Sequence, residues 1–127
     1  SSVSHMGYIL IGLSAFSSSD LITQKLGLGG ASLQMVSHGL ITGLLFYLVG
    51  GIYEKCKTRE VYELGGLSSN FKFSSVALAI GGMASLGLPG TSGFIAEIMV
   101  FMGGFAEYNI LTSISVFGVV LAGSVIL

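Results

Sequence analysis

Three ionisable residues, His5, His38 and Glu97, lie within long apolar stretches of the sequence. Ionisable groups in a bilayer interior are expensive, and they usually face a protein interior or a water-filled path. Glu97 has no charged residue within nine positions on either side, and the nearest is Glu107. A carboxyl group isolated in this way can exchange a proton near physiological pH, which makes Glu97 a candidate proton-transfer residue. The alternative is that Glu97 caps a half-helix or lies near a membrane surface.

The two histidines lie on polar helical faces. His5 shares a face with Ser1 and Tyr8 at helical spacing. His38 is in the stretch "QMVSHGLIT", whose polar stripe comprises Gln34, Ser37, His38 and Thr42. Because histidine titrates near neutral pH, both are predicted to transfer protons. The alternative is a neutral histidine that only joins neighbouring helices by hydrogen bonds.

The stretch "LGLPGTSGFIAE", residues 86–97, predicts a break in a helix just before Glu97. Pro89 removes a backbone donor and disfavours helical geometry at the preceding residue. Gly87 and Gly90 loosen the chain further. Broken helices at membrane depth are tolerated where they line a cavity or an ion site. A break followed by a buried acid is therefore typical of ion transport.

Composition places these residues in a membrane protein. Hydrophobic residues make up 52% of the 127, charged residues only 9%, and the mean hydropathy is +0.89. Soluble domains carry about 25% charge. A net charge of −1 gives no support for a nucleic-acid partner. The single Cys56, and the lack of metal-ligand spacing or a phosphate-binding loop, predict no catalytic, cofactor-binding or metal-ligating residue in this chain.

Four apolar blocks must position the ionisable residues, and their length and lack of alternation predict helices rather than strands. The fold class is therefore predicted as an all-α, polytopic transmembrane helix bundle with one Pro-broken helix. The blocks are about 3–16, 31–53, 71–104 broken near 89, and 110–127. Since the sequence is still apolar at its last residues, we expect a segment of a longer membrane protein.

The connections between the blocks carry further expectations. Residues 17–30 are predicted as a polar, glycine-rich connection, and 105–109 as a turn. Residues 54–70 hold six of the eleven charges and are predicted as a solvated loop on the cytoplasmic, stromal or matrix side. Within the second block, close approach of a neighbouring helix is expected at Gly39, Gly43, Gly50 and Gly51.

Several linked motifs carry a resemblance to a known family. They are "SSVSHMGYILIG", "QMVSHGLITGLLFYLVGGIYEK", "TREVYELGGL" and "MASLGLPGTSGFIAEIMVFMGGF". In this order they resemble the middle-to-late part of the chain 4 subunits of NADH-quinone oxidoreductase, respiratory complex I, and of the corresponding complex of plastids and cyanobacteria. The resemblance covers nearly the whole chain. These subunits are in turn similar to Mrp-type cation/proton antiporters.

The resemblance implies a proton-translocating, antiporter-like subunit of the membrane arm. In that family Glu97 matches the acid at the exit-side broken helix, where sister subunits usually carry a lysine. His38 matches the polar helix that links the central axis to Glu97, and Pro89 matches the helix break. His5 falls in the family's "SVSHMG" motif. The earlier half of the family's proton path is absent from this sequence, and residues 17–30 are longer than the family's usual connection.

The resemblance also implies what surrounds the chain. NADH, FMN, iron–sulfur clusters and quinone are expected in other subunits, so this chain carries no redox centre although the complex is an enzyme. Its partners are expected to be other membrane-arm subunits, including sister antiporter-like subunits, and the lipid bilayer. The expected location is an energy-transducing membrane, mitochondrial inner, bacterial plasma or thylakoid, crossed more than once. Two alternatives stay open: a subunit of a Mrp-type Na⁺/H⁺ antiporter or membrane-bound hydrogenase, and a scaffold whose polar groups only join helices.

Overall fold

The computed structural model describes residues 2–58, 65–66 and 71–126, except the side chains of residues 122, 125 and 126. Within these residues the chain forms five α-helices and one short 3₁₀ turn, and no strand is present in this part of the chain. The all-α prediction is therefore confirmed. The helices are α1 (Ser2–Ser14), α2 (Leu21–Cys56), α3 (Lys72–Ser85), α4 (Ser92–Glu107) and α5 (Asn109–Ile126), with the 3₁₀ turn at Ala15–Ser17.

Helix α2 begins ten residues earlier than the sequence predicts. The Asp20 carboxylate accepts hydrogen bonds from the Thr23 backbone N–H at 3.0 Å and the Thr23 hydroxyl at 2.7 Å, so it caps the helix. The same hydrogen bonds lower the pKa of Asp20, which lies outside the helix. The prediction of a connection over residues 17–30 is therefore wrong from Leu21 onward. At 36 residues α2 is about 54 Å long, which exceeds a hydrocarbon core of about 30 Å.

Glycines explain why this early part of α2 is helical. A Cβ on Gly27 would collide with the Ala15 side chain, which is in the 3₁₀ turn. It would also lie 2.8 Å from the carbonyl oxygen of Gly12 in α1. A Cβ on Gly103 of α4 would lie 2.7 Å from the Gly27 nitrogen, and one on Gly30 would lie 2.7 Å from the Val100 nitrogen. Glycine is unfavourable in a helix by itself, but it lets helices approach closely, as small residues do in membrane proteins. The glycine-rich stretch is a packing surface.

The chain leaves helical geometry between α3 and α4. Gly87 has φ +68°, its N–H donates to the Ala84 carbonyl at 3.2 Å, and the Leu88 N–H donates to the Met83 carbonyl at 3.4 Å. This pair of hydrogen bonds is the Schellman motif, so α3 ends because Gly87 adopts the left-handed region. The prediction that Pro89 itself breaks one helix is not confirmed, because α3 has already ended at Ser85.

Pro89 instead shapes the turn that starts α4. The Thr91 N–H donates to the Leu88 carbonyl at 3.0 Å, and Gly90 has φ +97°. Proline followed by a positive-φ glycine is the pattern of a type II turn. Thr91 then caps α4, since its hydroxyl oxygen accepts from the Phe94 N–H at 3.4 Å. Helix α4 runs to Glu107, so the turn expected at 105–109 is reduced to Tyr108.

The outer surface of these helices is apolar. Many large side chains, such as Phe46, Tyr47 and Phe73, are more than 70% exposed. Helix α2 is the one helix of the described residues that is long and apolar enough to cross a membrane. A Cβ on Gly39, Gly43, Gly50 or Gly51 would meet nothing within 4 Å in the described chain, so the close approach expected at those glycines is not made here. Most of the charged connection 54–70 lies outside the described residues.

Candidate proton-transfer site

Helices α1, α2 and α4 meet around a buried polar cluster. Each contributes one deeply buried polar side chain: His5 from α1 is 5% exposed, Gln34 from α2 is 2% exposed and Glu97 from α4 is 6% exposed. Polar groups removed from water must find partners inside the protein. The shared burial of these three side chains therefore defines the candidate site.

His5 lies between the other two residues predicted to carry protons. Its Nδ1 atom is 3.7 Å from Oε1 of Glu97. On its other side, its ring centroid is 4.9 Å from that of His38, with the two ring planes at 38°. The structure thus brings together all three predicted residues, in the order Glu97, His5, His38. The position of His5 between the other two was not predictable, because α1 and α4 are far apart along the chain and only their packing brings His5 to Glu97.

The half-buried His38 sits at the outer end of this arrangement. Its Nε2 atom is 3.4 Å from the Thr42 hydroxyl, one helical turn further along α2. The Ser37 hydroxyl, one residue before His38 on α2, is 2.7 Å from that of Ser92 at the start of α4. Three residues of the predicted polar stripe, Gln34, Ser37 and His38, therefore contact α1 or α4, whereas Thr42 contacts His38 on its own helix.

Gln34 is the site residue that the sequence argument did not single out. Its Nε2 atom is 2.9 Å from Nδ1 of His5. Its carbonyl oxygen is buried and has no hydrogen-bond partner among the described residues. The available signal was its position in an uncharged apolar helix, one turn from His38 on the same polar stripe.

Tyr8 of α1 packs beside the site. It is 3% exposed, and its ring meets that of His5 edge-on at 5.9 Å between centroids. On its other side it packs against Phe101 of α4, at 5.5 Å between centroids. Its hydroxyl is buried and finds no hydrogen-bond partner in the part of the chain described.

The end of α3 contacts the acid directly. A Cβ built on Gly87 would lie 2.8 Å from Oε2 of Glu97, so the carboxyl group packs against the glycine backbone. A Cβ on Gly90 would meet nothing within 4 Å in the described chain, and Pro89 is exposed. Of the three residues predicted at the helix break, only Gly87 thus touches the site.

This geometry suits proton exchange between a carboxyl group and an imidazole. The separation of 3.7 Å between His5 and Glu97 is somewhat longer than a direct hydrogen bond. Such distances are ordinary in resting sites that shorten or recruit one water when the proton moves. The adjacent His38 ring adds a third ionisable side chain, so α1, α2 and α4 each contribute one. The described residues hold no group of three or more His, Cys, Asp or Glu that could bind a metal ion.

Closely packed apolar helices around a buried acid and histidine, next to the end of a helix, are typical of membrane proteins that transport ions. A family model described as NADH:quinone oxidoreductase/Mrp antiporter, transmembrane, matches residues 1–122. The chain belongs to this family, and it is therefore a membrane protein.

Cyanobacterial relatives extend this assignment. The chain is 50% identical over 103 residues to a protein of Prochlorococcus marinus strain NATL1A named NAD(P)H-quinone oxidoreductase chain 4, covering 81% of this chain and 18% of that protein. It is 44% identical over 123 residues to the protein of the same name from strain MIT 9313, covering 97% and 20%. The chain 4 protein of Acaryochloris marina is 48% identical over 103 residues, covering 81% and 18%. The chain thus spans about a fifth of the length of the curated relatives it matches.

Proposed function

We propose that this chain is part of the antiporter-like, proton-translocating membrane subunit of a complex I-type NAD(P)H-quinone oxidoreductase. The observation that carries the proposal is the row of three neighbouring ionisable side chains, Glu97, His5 and His38, beside the end of α3. The names of its relatives support the type of complex, and the family supports the membrane. A proton passes along His38 and His5 to Glu97, which releases it to the outer side.

The rest of the complex supplies the redox chemistry in this proposal. NADH or another donor, FMN, iron–sulfur clusters and quinone belong to other subunits, and this chain holds none of them. Energy from quinone reduction reaches the chain through changes in charge and conformation. The partners are other membrane-arm subunits, including sister antiporter-like subunits, in an energy-transducing membrane that the complete subunit crosses several times.

A Mrp-type cation/proton antiporter or a membrane-bound hydrogenase is the second candidate, because the family description includes the Mrp antiporters. Purification of the native complex separates the two. A complex that contains redox centres and reduces quinone supports the proposed function. A complex without redox centres that exchanges Na⁺ for H⁺ supports the antiporter.

Glu97→Gln in the intact complex, reconstituted into lipid vesicles, tests the assigned mechanism. The amide keeps the shape of the side chain and cannot lose a proton at physiological pH. General acid–base groups commonly contribute 10²–10⁴-fold to rate, so we expect proton translocation coupled to quinone reduction to fall by at least about tenfold.

Glu107→Gln is the matched control. It neutralises an exposed glutamate at the last residue of the same helix, and we expect it to leave pumping unchanged. Wild-type rate and wild-type proton-to-electron stoichiometry in the Glu97→Gln complex would contradict the role assigned to Glu97. Loss of assembly in that variant, with pumping unaffected in the complexes that do form, would instead favour the scaffold alternative.

A further inference from the structure

Gln34 is the most deeply buried side chain of the polar cluster, at 2% exposure, and the proton path of the proposed function does not use it. Its neighbours on α2 are the small Gly30 and Ala31, which bring α1 and α4 close. A glutamine is a costly choice at such a position, because only one end of its amide has a partner in the described residues. The role of Gln34 therefore depends on its single hydrogen bond, which is made to Nδ1 of His5.

That hydrogen bond decides which nitrogen of His5 carries the proton. An amide NH₂ group only donates, so Nδ1 of His5 must offer its lone pair at 2.9 Å. In neutral His5 the proton then lies on Nε2. This atom is buried and has no hydrogen-bond partner in the described chain.

Nδ1 is also the atom of His5 that faces Glu97, at 3.7 Å from Oε1. In the proposed path a proton passes from His5 to the acid: the N–H bond at Nδ1 of the imidazolium breaks, an O–H bond forms on Glu97, and two neutral groups remain. In the reverse step the O–H bond of Glu97 breaks, an N–H bond forms at Nδ1, and a carboxylate and an imidazolium remain. Nδ1 has one lone pair, so the Gln34 donor and the Glu97 proton compete for the same position.

The amide can reverse this competition without moving any helix. A half-turn of its terminal torsion exchanges nitrogen and oxygen, which occupy nearly the same shape. The carbonyl oxygen, which has no partner in the first orientation, then faces Nδ1 and accepts from the new N–H group. One orientation holds the proton on Glu97, and the other holds it on His5.

We propose that Gln34 is a positioning residue that controls proton transfer between Glu97 and His5 by presenting either its NH₂ group or its carbonyl oxygen to Nδ1 of His5. The inference rests on the proposed function, since it assigns a control element to the same site. It accounts for the buried amide, its hydrogen bond to the atom that faces the acid, and its second, unpaired end.

The test is Gln34→Met in the intact, membrane-reconstituted complex. Methionine fills a similar volume and makes no comparable hydrogen bond, so Nδ1 becomes free for the Glu97 proton. Infrared difference spectroscopy reads the neutral carboxyl band, which is assigned to Glu97 by its loss in Glu97→Gln. We expect the neutral fraction of Glu97 to fall and proton translocation to slow, each by roughly fivefold, the factor for one neutral hydrogen bond.

Gln24→Met is the matched control. Gln24 lies on the same helix and its Nε2 donates to the Phe16 carbonyl at 2.9 Å, away from the cluster. This variant also loses one glutamine hydrogen bond, and we expect it to leave the carboxyl band and proton translocation unchanged. If the Gln34→Met complex does not assemble, Gln34→Asn replaces it, because its amide is one methylene too short to keep the contact and we expect the same change of the band.

Three outcomes separate the ideas. A carboxyl band unchanged by Gln34→Met, or by Gln34→Asn, overturns the inference, even if pumping slows through a packing defect. A wild-type pumping rate in Gln34→Met together with loss of pumping in Glu97→Gln overturns the inference and leaves the proposed function intact. Unchanged pumping in Glu97→Gln overturns the proposed function itself.

Discussion

The two halves of α2 face different surroundings. The half from Leu21 to His38 buries small and polar side chains against α1 and α4. The half from Gly39 to Cys56 exposes large apolar side chains and buries only Leu48 and Ile52. The buried side chains of the first half are Thr23, Gly27, Gly30, Ala31, Gln34 and Ser37.

This difference is the reverse of the pattern expected in water. In a bilayer, lipid tails are as apolar as leucine, so large apolar side chains gain little by leaving lipid for a protein interface. Close backbone approach and interhelical hydrogen bonds then decide which surfaces pack. The more polar half of α2 accordingly forms the interior, and the more hydrophobic half, whose glycines meet no neighbour within 4 Å, faces outward in the described chain.

The most direct test of this difference between the halves of α2 compares Gly27→Ala with Gly39→Ala in the full-length subunit. Both add one methyl group to α2, and both gain about 1 kcal/mol of helix propensity. At Gly27 the methyl group collides with Ala15 and with the Gly12 carbonyl, whereas at Gly39 it meets nothing within 4 Å in the described chain. Overpacking costs about 1–3 kcal/mol, so Gly27→Ala is expected to be less stable than Gly39→Ala by about that amount.

Detergent-induced unfolding of the two variants measures this difference. Equal stabilities would show that the first half of α2 is not a tightly packed interface. A loss confined to Gly39→Ala would show that the interior lies on the other half.

The sequence identified the residues that meet at the candidate site better than it predicted the ends of the helices. Isolation in apolar sequence was enough to single out His5, His38 and Glu97, because an ionisable group in such a stretch has few roles. The order in which they meet was not predictable, since His5 and Glu97 are more than ninety positions apart and only the packing of α1 against α4 brings them together. Gln34 was placed in the polar stripe but given no role of its own for a similar reason, because its significance depends on its contact with His5.

The error at residues 17–30 has a physical source. Polar and glycine residues signal a connection when the surroundings are water, because glycine there costs a helix about 1 kcal/mol. In α2 that cost is offset by the close contacts that Gly27 and Gly30 allow. The chain leaves helical geometry before Glu97, but a helix broken by Pro89 is not confirmed. Gly87 ends α3 with its left-handed φ, and Pro89 belongs to the following turn.

Gly87→Ala and Gly90→Ala sharpen the comparison at the point where the end of α3 meets Glu97 of α4. Both glycines have positive φ, so alanine costs roughly 1–2 kcal/mol at either position. Only at Gly87 does the new methyl group also meet the Glu97 carboxyl, at 2.8 Å from Oε2. We expect both variants to lose similar stability, and Gly87→Ala alone to slow proton translocation, by about tenfold or less.

Proton translocation per quinone reduced, measured beside thermal stability, separates the two effects. The same pumping rate in both variants would mean that contact with Gly87 does not hold the acid in place. The packed region around the polar cluster would then consist of α1, α2 and α4 alone.

A double-mutant cycle of Ser37→Ala and Ser92→Ala gives the smallest expected effect. The two hydroxyl groups are 2.7 Å apart and join the interior half of α2 to the first residue of α4. Interhelical hydrogen bonds in membranes couple by about 0.6 kcal/mol on average, so we expect a coupling energy of about 0.5–1 kcal/mol in detergent-induced unfolding. The pair Thr42→Ala and Ser92→Ala is the control, because Thr42 contacts His38 on its own helix instead, and its coupling to Ser92 should be near zero. An equally large coupling energy for the control pair would mean that the coupling does not come from the Ser37–Ser92 hydrogen bond. The division of α2 into an interior and an outward half would then not extend to its hydrogen bonds.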